Sequence, residues 1–206
     1  MNEKRVLHKE FSFLESDGDF HVEIVRDSAF FVVLHGETNI LPEVITHVSG
    51  STLKLFYGNY NMHYLHGDLK IYVHMPVINS INLQGTGSIT SSTPLVHPLV
   101  VTNGSSGSID LNCSISQIIT NITGPGKIIL HGEADGCRHL ISGSGGLDAF
   151  DLKCAEAEIS LSGSGTCTVY VTQGLKVDLA GSGSVRYMGS PVLVSNITGS
   201  GTITRN

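Results

Sequence analysis

Four serines each lie between two glycines, a setting that calls to mind the sharp turn on which some hydrolases hold a nucleophile. They are Ser144, Ser164, Ser182 and Ser200. Such a nucleophile needs the pattern Gly-x-Ser-x-Gly between a strand and a helix, together with histidine and acid partners. None of the four serines has that sequence context. Because they recur at similar positions, we interpret them as a ladder of hydroxyl groups at the corners of a repeat.

Two glycine-rich segments could bind ions. Residues 124–127 (GPGK) could hold a phosphate, but phosphate loops need a following helix, and residues 128–130 (IIL) predict a strand. Residues 143–150 (GSGGLDAF) loosely match a calcium-binding nonapeptide, of which only one copy is present. The sequence therefore predicts no phosphate or calcium site.

Histidines and carboxylates complete the candidates for chemistry. His63 and His66 are the closest pair of histidines, but positions three apart on a strand face opposite sides, so we expect surface side chains and no metal site. Asp148 and Asp151 also face opposite sides if extended. The acids of the glycine-rich region are Asp110, Glu133, Asp135, Asp148, Asp151, Glu156, Glu158 and Asp178. We predict no catalytic residue, no metal ligand and no cofactor.

The element that must position all of these residues is a repeat marked by Gly-x-Gly. Its second glycines are residues 87, 107, 126, 145, 165, 183 and 201, at intervals of 18 to 20 residues. Apolar residues alternate before and after each copy, as Val177 and Leu179 do before Gly181 and Val185 and Tyr187 do after Gly183. This alternation predicts strands with one buried face, joined at a corner. Glycine at the corner indicates either φ > 0, which we expect at Gly183, or a close approach of two backbones.

Strands joined by identical corners at a constant interval predict an all-β fold. The interval is too short for a helix in each return, so we predict a right-handed parallel β-helix, a solenoid whose turns of about 19 residues pair in parallel. An antiparallel sandwich is the alternative, but its hairpins do not require a constant corner. Residues 79–206 form the predicted repeats, and residues 1–78 form a β region that starts or caps the solenoid.

The cysteines and the C-terminal end give two further expectations. Four cysteines form no Cys-x-x-Cys pair. Cys137 and Cys154 lie at similar distances after the preceding corner, so the sequence allows a disulfide between them across adjacent turns without requiring it. We expect Cys113 and Cys167 to be buried free thiols. The repeat ends directly after the corner at Gly201 without a capping element, which favours weak self-association through the last turn.

Composition restricts the function. The 206 residues carry a net charge of −6 without a cluster of lysines and arginines, which argues against nucleic acid as a partner. The sequence contains no run of 18 or more apolar residues, so it predicts no transmembrane segment, and no signal sequence is visible at the N-terminus.

The repeat pattern resembles the putative auto-transporter adhesin head GIN domain family of bacterial exported proteins. The residues that carry the likeness are 161–165 (LSGSG), 179–191 (LAGSGSVRYMGSP) and 197–203 (ITGSGTI), with 20–24 (FHVEI), 53–55 (LKL) and 69–73 (LKIYV) in the N-terminal region. The corners at 104–107 (GSSG) and 124–126 (GPG) depart from the pattern. The resemblance implies a β-helix that is exported to the periplasm or the cell surface, and it implies no catalytic residues.

We therefore expect a non-enzymatic β-helix that acts as an adhesin or a ligand-binding scaffold for glycans or surface proteins. The alternatives are a carbohydrate-active enzyme that cleaves polysaccharides and a purely structural spacer of the cell envelope.

Overall fold

A computed structural model describes residues 1–58 and 69–206 as an almost entirely β protein. About 70% of the described residues are in strands, and these residues include no α-helix, only the short 3-10 turn Leu41–Glu43. The strands are β1 Asn2–Val6, β2 Phe13–Asp17, β3 His21–Arg26, β4 Phe31–His35, β5 Val44–Ser49, β6 Thr52–Tyr57, β7 Lys70–Met75, β8 Ser80–Leu83, β9 Ser88–Leu95, β10 Leu99–Asn103, β11 Ser108–Ile122, β12 Lys127–Ile141, β13 Gly146–Gly163, β14 Thr166–Gly181, β15 Ser184–Met188, β16 Val192–Gly199 and β17 Thr202–Arg205.

The strands stack in two ladders that meet at the glycine corners. Ladder 1 holds the strands before each corner, namely β8, β10, the second halves of β11 to β14, and β16. Ladder 2 holds the strands after each corner, namely β9, the first halves of β11 to β14, β15 and β17. Every one of these pairs is parallel. The predicted parallel β-helix is confirmed, with about seven turns of about 19 residues.

The core lies between the ladders and follows the alternation in the sequence. In β11 the inward residues Ile109 and Leu111 are fully buried, and their register partners in the next turn, Ile128 and Leu130, are buried to the same extent. Each such side chain contributes about 1.5–3 kcal/mol by leaving water. Like residues therefore stack on like residues along the solenoid axis.

The corners are built from backbone contacts between successive glycines. The carbonyl oxygen of Gly163 accepts hydrogen bonds from the N–H groups of Ser182 and Gly183, at 3.0 and 2.9 Å. The positive φ of 114° belongs to Gly181, so the expectation of φ > 0 at Gly183 is wrong. Gly183 is required for space instead, because a Cβ there would lie 2.6 Å from the carbonyl oxygen of Gly165.

The corner serines do not form the hydroxyl ladder that the sequence indicated. All four are exposed, and within the described hydrogen bonds none joins one of these hydroxyl groups to another. The repeated hydrogen bonds at the corners come from the backbone. A small polar residue is tolerated between the glycines because it faces solvent.

The N-terminal strands extend both ladders in an order that differs from the chain order. On one side β2 and β3 pair in parallel with β8 and β9, and on the other side they pair in parallel with β6 and β7. The next layer is antiparallel, because β5 pairs with β6, β4 pairs with β7 and β1 pairs with β4. The turn made by β2 and β3 is therefore an interior layer of the stack.

Candidate binding face

The outer surface of ladder 1 carries a row of charged side chains, one from each of three successive turns. Arg138, Glu158 and Lys176 are register partners in β12, β13 and β14, and Val194 of β16 continues the row. Lys176 Nζ lies 2.8 Å from Glu158 Oε1, and Arg138 Nε lies 3.6 Å from Glu158 Oε2. We call Arg138, Glu158 and Lys176 the charged ridge.

Mutual contacts keep the ridge ionised. The pKa of Glu158 is lowered by the hydrogen bond and the charge of Lys176, and further by the charge of Arg138. The pKa of Lys176 is raised by the same hydrogen bond and by the negative charge of Glu158. Asp178 Oδ2 also lies 3.7 Å from Lys176 Nζ. The ridge therefore presents fixed charges of both signs at neutral pH.

A large open groove runs along one side of the ridge. Its volume is about 660 Å³, and its axis follows the register row Gln117, Gly136, Glu156, Gly174 and Val192. The surface dips here because two positions of the row are glycines. A Cβ at Gly174 would lie 2.2 Å from Glu156 Oε2, so the glycine makes room for this carboxylate. Glu156 has no ion-pair partner in the described part of the chain.

A smaller groove of about 270 Å³ runs along the other side of the ridge. Its row consists of Leu140, Ser160, Asp178 and Asn196, which are register partners in four successive strands. Hydroxyl, amide and carboxylate groups therefore point outward from neighbouring turns, which stand about 4.8 Å apart. We call the ridge and its two grooves the binding face.

The binding face offers hydrogen-bonding groups in a regular array. Gln117, Glu156 and Asp178 accept or donate hydrogen bonds at spacings set by the strands, and Arg138 and Lys176 add cationic donors. Such an arrangement suits a ligand rich in hydroxyl or other polar groups. The binding face also brings together three carboxylates that are separated in the sequence, Glu156, Glu158 and Asp178, beside the cations Arg138 and Lys176.

Asp148 and Asp151 lie elsewhere, on the outer surface of ladder 2. Both side chains are exposed, at 42% and 78%, so the expectation that they face opposite sides is wrong. The register of β13 shifts between Asp148 and Asp151, which breaks the alternation. Asp148 Oδ2 lies 3.2 Å from Lys127 Nζ, and Asp151 Oδ2 lies 3.5 Å from His131 Nδ1.

Among the other sequence candidates in the described residues, Cys137 lines the large groove and the rest lie away from the binding face. Lys127 begins β12, so a strand follows the GPGK segment. His63 and His66 lie outside the described residues. Cys137 and Cys154 form a disulfide between adjacent turns, and Cys113 and Cys167 are buried free thiols. Burial raises the pKa of the Cys113 thiol to about 12, so this thiol is unreactive.

The sequence does contain a signal for the charged ridge. Distances counted forward from a corner do not reveal it. Arg138, Glu158, Lys176 and Val194 each lie five residues before the first glycine of the next corner. Register shifts in the first half of β13 disturb the spacing after a corner, whereas the spacing before a corner is constant. Counting backward from each corner therefore aligns this row.

The sequence matches the profile of the family described as "Putative auto-transporter adhesin, head GIN domain" over residues 10–191. A search of curated proteins found no match. No helix of the described segments is long and apolar enough to cross a membrane.

Solved structures share the fold at low sequence identity. A protein from Bacteroides fragilis described as a putative adhesin is 22% identical, with a TM-score of 0.93 over 100% of this chain and 96% of the other. A putative adhesin from Parabacteroides merdae is 18% identical, with a TM-score of 0.79 over 100% and 95%. A protein from Parabacteroides distasonis described as a putative lipid binding protein is 24% identical, with a TM-score of 0.73 over 100% and 96%.

Proposed function

The chain belongs to the putative auto-transporter adhesin head GIN domain family, and on that premise we propose that it is a non-enzymatic adhesion module that binds glycans through the binding face. The observation that carries the proposal is the large groove, which is open, crosses several turns and combines polar and charged groups in register with apolar side chains such as Val192 and Val194. A glycan presents many hydroxyl groups along an extended chain, and such a ligand can lie along the solenoid axis. The rigid stack of strands fixes the groups that would contact it.

We further propose that the protein works outside the cytoplasm, in the periplasm or at the cell surface. The family description supports this location. The disulfide between Cys137 and Cys154 supports it as well, because disulfides persist in oxidising compartments and are rare in the cytosol.

A glycan array with purified protein tests the binding proposal. We expect Lys176→Gln to weaken binding of any glycan retained by the wild type by about tenfold, since hydrogen bonds to charged groups contribute about 1.5–3 kcal/mol. Lys153→Gln is the matched control, because Lys153 is exposed and does not line either groove. Equal binding by the wild type and Lys176→Gln would contradict the assignment of the face.

Polysaccharide cleavage is a second candidate, favoured by the carboxylates Glu156 and Glu158 next to Lys176. A glycoside hydrolase needs a carboxylic acid whose pKa is raised. The pKa of Glu158 is lowered by Lys176, which makes this residue unsuited to donate a proton. We therefore expect glycans bound on the array to be recovered intact after long incubation. Release of shortened products that is lost in Glu156→Gln would support the enzyme instead.

A further inference from the structure

We propose that a second copy of this chain binds at the last turn, by antiparallel pairing of β16 with β16 of the second copy. One edge of β16 pairs with β14, and the other edge pairs with no strand in the described ranges 1–58 and 69–206. A free edge presents unpaired backbone N–H and C=O groups, which favour the addition of another strand.

The inner surface of β16 is uncovered and carries two apolar side chains, Leu193 and Ile197, on either side of Ser195. Leu193 and Ile197 are 38% and 47% exposed, whereas their register partners in the preceding turn, Leu175 and Leu179, are 1% and 2% exposed. One more layer of strands would therefore bury Leu193 and Ile197 as the preceding layers are buried.

Charge distinguishes β16 from β1, an edge strand at the opposite end of the stack. Strand β1, which lies at the opposite end, carries Glu3, Lys4 and Arg5. Charged side chains on an edge strand oppose pairing with another molecule. The eight residues of β16 include no charged side chain, so two copies of this strand can approach each other without repulsion between like charges.

The sequence of β16 is self-complementary when two copies run antiparallel. With a two-fold axis at Ser195, Leu193 lies opposite Ile197 of the second copy, and Ser195 lies opposite its own equivalent. The same register places Val194 opposite Asn196 of the second copy. All inward residues therefore meet inward residues, which is the condition for a continuous core. A two-fold contact of this kind closes on itself and gives a dimer.

The contact would also extend the binding face. Both grooves run as far as β16, where Val192 and Val194 line the large groove and Asn196 and Thr198 line the small one. Antiparallel pairing aligns the large groove of one copy with the small groove of the other. Each copy thus supplies the continuation of the other copy's binding face.

Sedimentation velocity on the 206-residue chain tests the proposal. We expect a concentration-dependent equilibrium between monomer and dimer, and we expect Ile197→Lys to raise the dissociation constant at least tenfold. Val96→Lys is the matched control, because Val96 is 38% exposed and lies far from β16 in the fold. Circular dichroism of both variants verifies that they are folded.

Cross-linking tests the register independently of the strength of association. In the proposed dimer the two Ser195 Cα atoms lie about 4.5–5.5 Å apart, a separation that permits a disulfide. Ser195→Cys should therefore form covalent dimers under mild oxidation, and Ser200→Cys, at the exposed corner of the same turn, should not. A strictly monomeric chain, open-ended filaments, or equal cross-linking of both variants would overturn the proposal.

Discussion

Acidification should destabilise the solenoid through one buried histidine. His139 lies on the inner surface of ladder 1 and is 1% exposed, and its Nδ1 shares a hydrogen bond of 2.8 Å with Thr120 Oγ1 in the preceding turn. The register partner on the other side is Ile159. The buried polar residues of the described chain are serine, asparagine, threonine and this histidine, so no carboxylate in the core can stabilise an imidazolium.

The magnitude follows from the pKa of the buried ring. Burial lowers the pKa of His139 from 6.5 to about 4. The unfolded chain therefore binds a proton more readily than the folded protein at pH values between these two. The contribution of neutral His139 to the free energy of unfolding is complete above pH 6.5 and is lost as the pH falls toward 4, at about 1.4 kcal/mol per pH unit within that range. Between pH 7 and pH 5 the expected loss is about 2 kcal/mol.

Urea unfolding at pH 7, 6 and 5 measures this loss. His139→Gln keeps a polar group that can bond to Thr120 but does not titrate, so its free energy of unfolding should change much less over the same range. His8→Gln is the matched control, because His8 is exposed. The pKa of Glu158 is lowered, so this carboxylate stays ionised at these pH values. Parallel losses in the wild type and in His139→Gln would refute the reasoning.

Two further predictions concern covalent structure and the corners. Thiol counting under denaturing, non-reducing conditions should find two free thiols, and four free thiols would contradict the bridge between Cys137 and Cys154. Cys137→Ser should lower the free energy of unfolding by about 3 kcal/mol, since this bridge closes a loop with a sequence separation of 17. Gly183→Val should lower the melting temperature because its side chain would overlap the neighbouring turn, whereas the exposed Ser182→Ala should cost less than about 1 kcal/mol. Equal melting temperatures of these two variants would show that the glycine is not required for space.

The solenoid could be predicted because its two signals lie along the chain. Alternation of apolar residues gives the buried surface of each strand, and the repeated glycines give the corners, so neither signal requires knowledge of distant contacts. The order of the N-terminal layers carries no such signal. Strands β2 and β3 lack a Gly-x-Gly corner, and their position between β6–β7 and β8–β9 depends on contacts that only the folded chain makes.

The binding face and the buried polar pair were missed for a related reason. The alternation of apolar residues marks the core but does not determine which residue types point outward. That Arg138, Glu158 and Lys176 form a row of charged side chains therefore becomes apparent only when their turns are aligned. His139 and Thr120 each lie four residues before a corner, at a position that holds Ile159 in the next turn. A polar residue at an aliphatic position was visible in the sequence, but its partner depended on the register.

The interior position of β2 and β3 has a consequence for synthesis on the ribosome. These strands emerge early, yet both of their edges are covered only by segments that emerge later, β6–β7 on one side and β8–β9 on the other. A nascent chain that ends before residue 52 therefore exposes both edges of β2 and β3, and one that ends before residue 80 still exposes the edges that β8 and β9 cover later. Once β9 is in place, each new turn covers one edge and creates one, so growth becomes a layer-by-layer addition in which only the newest turn is open to incorrect partners.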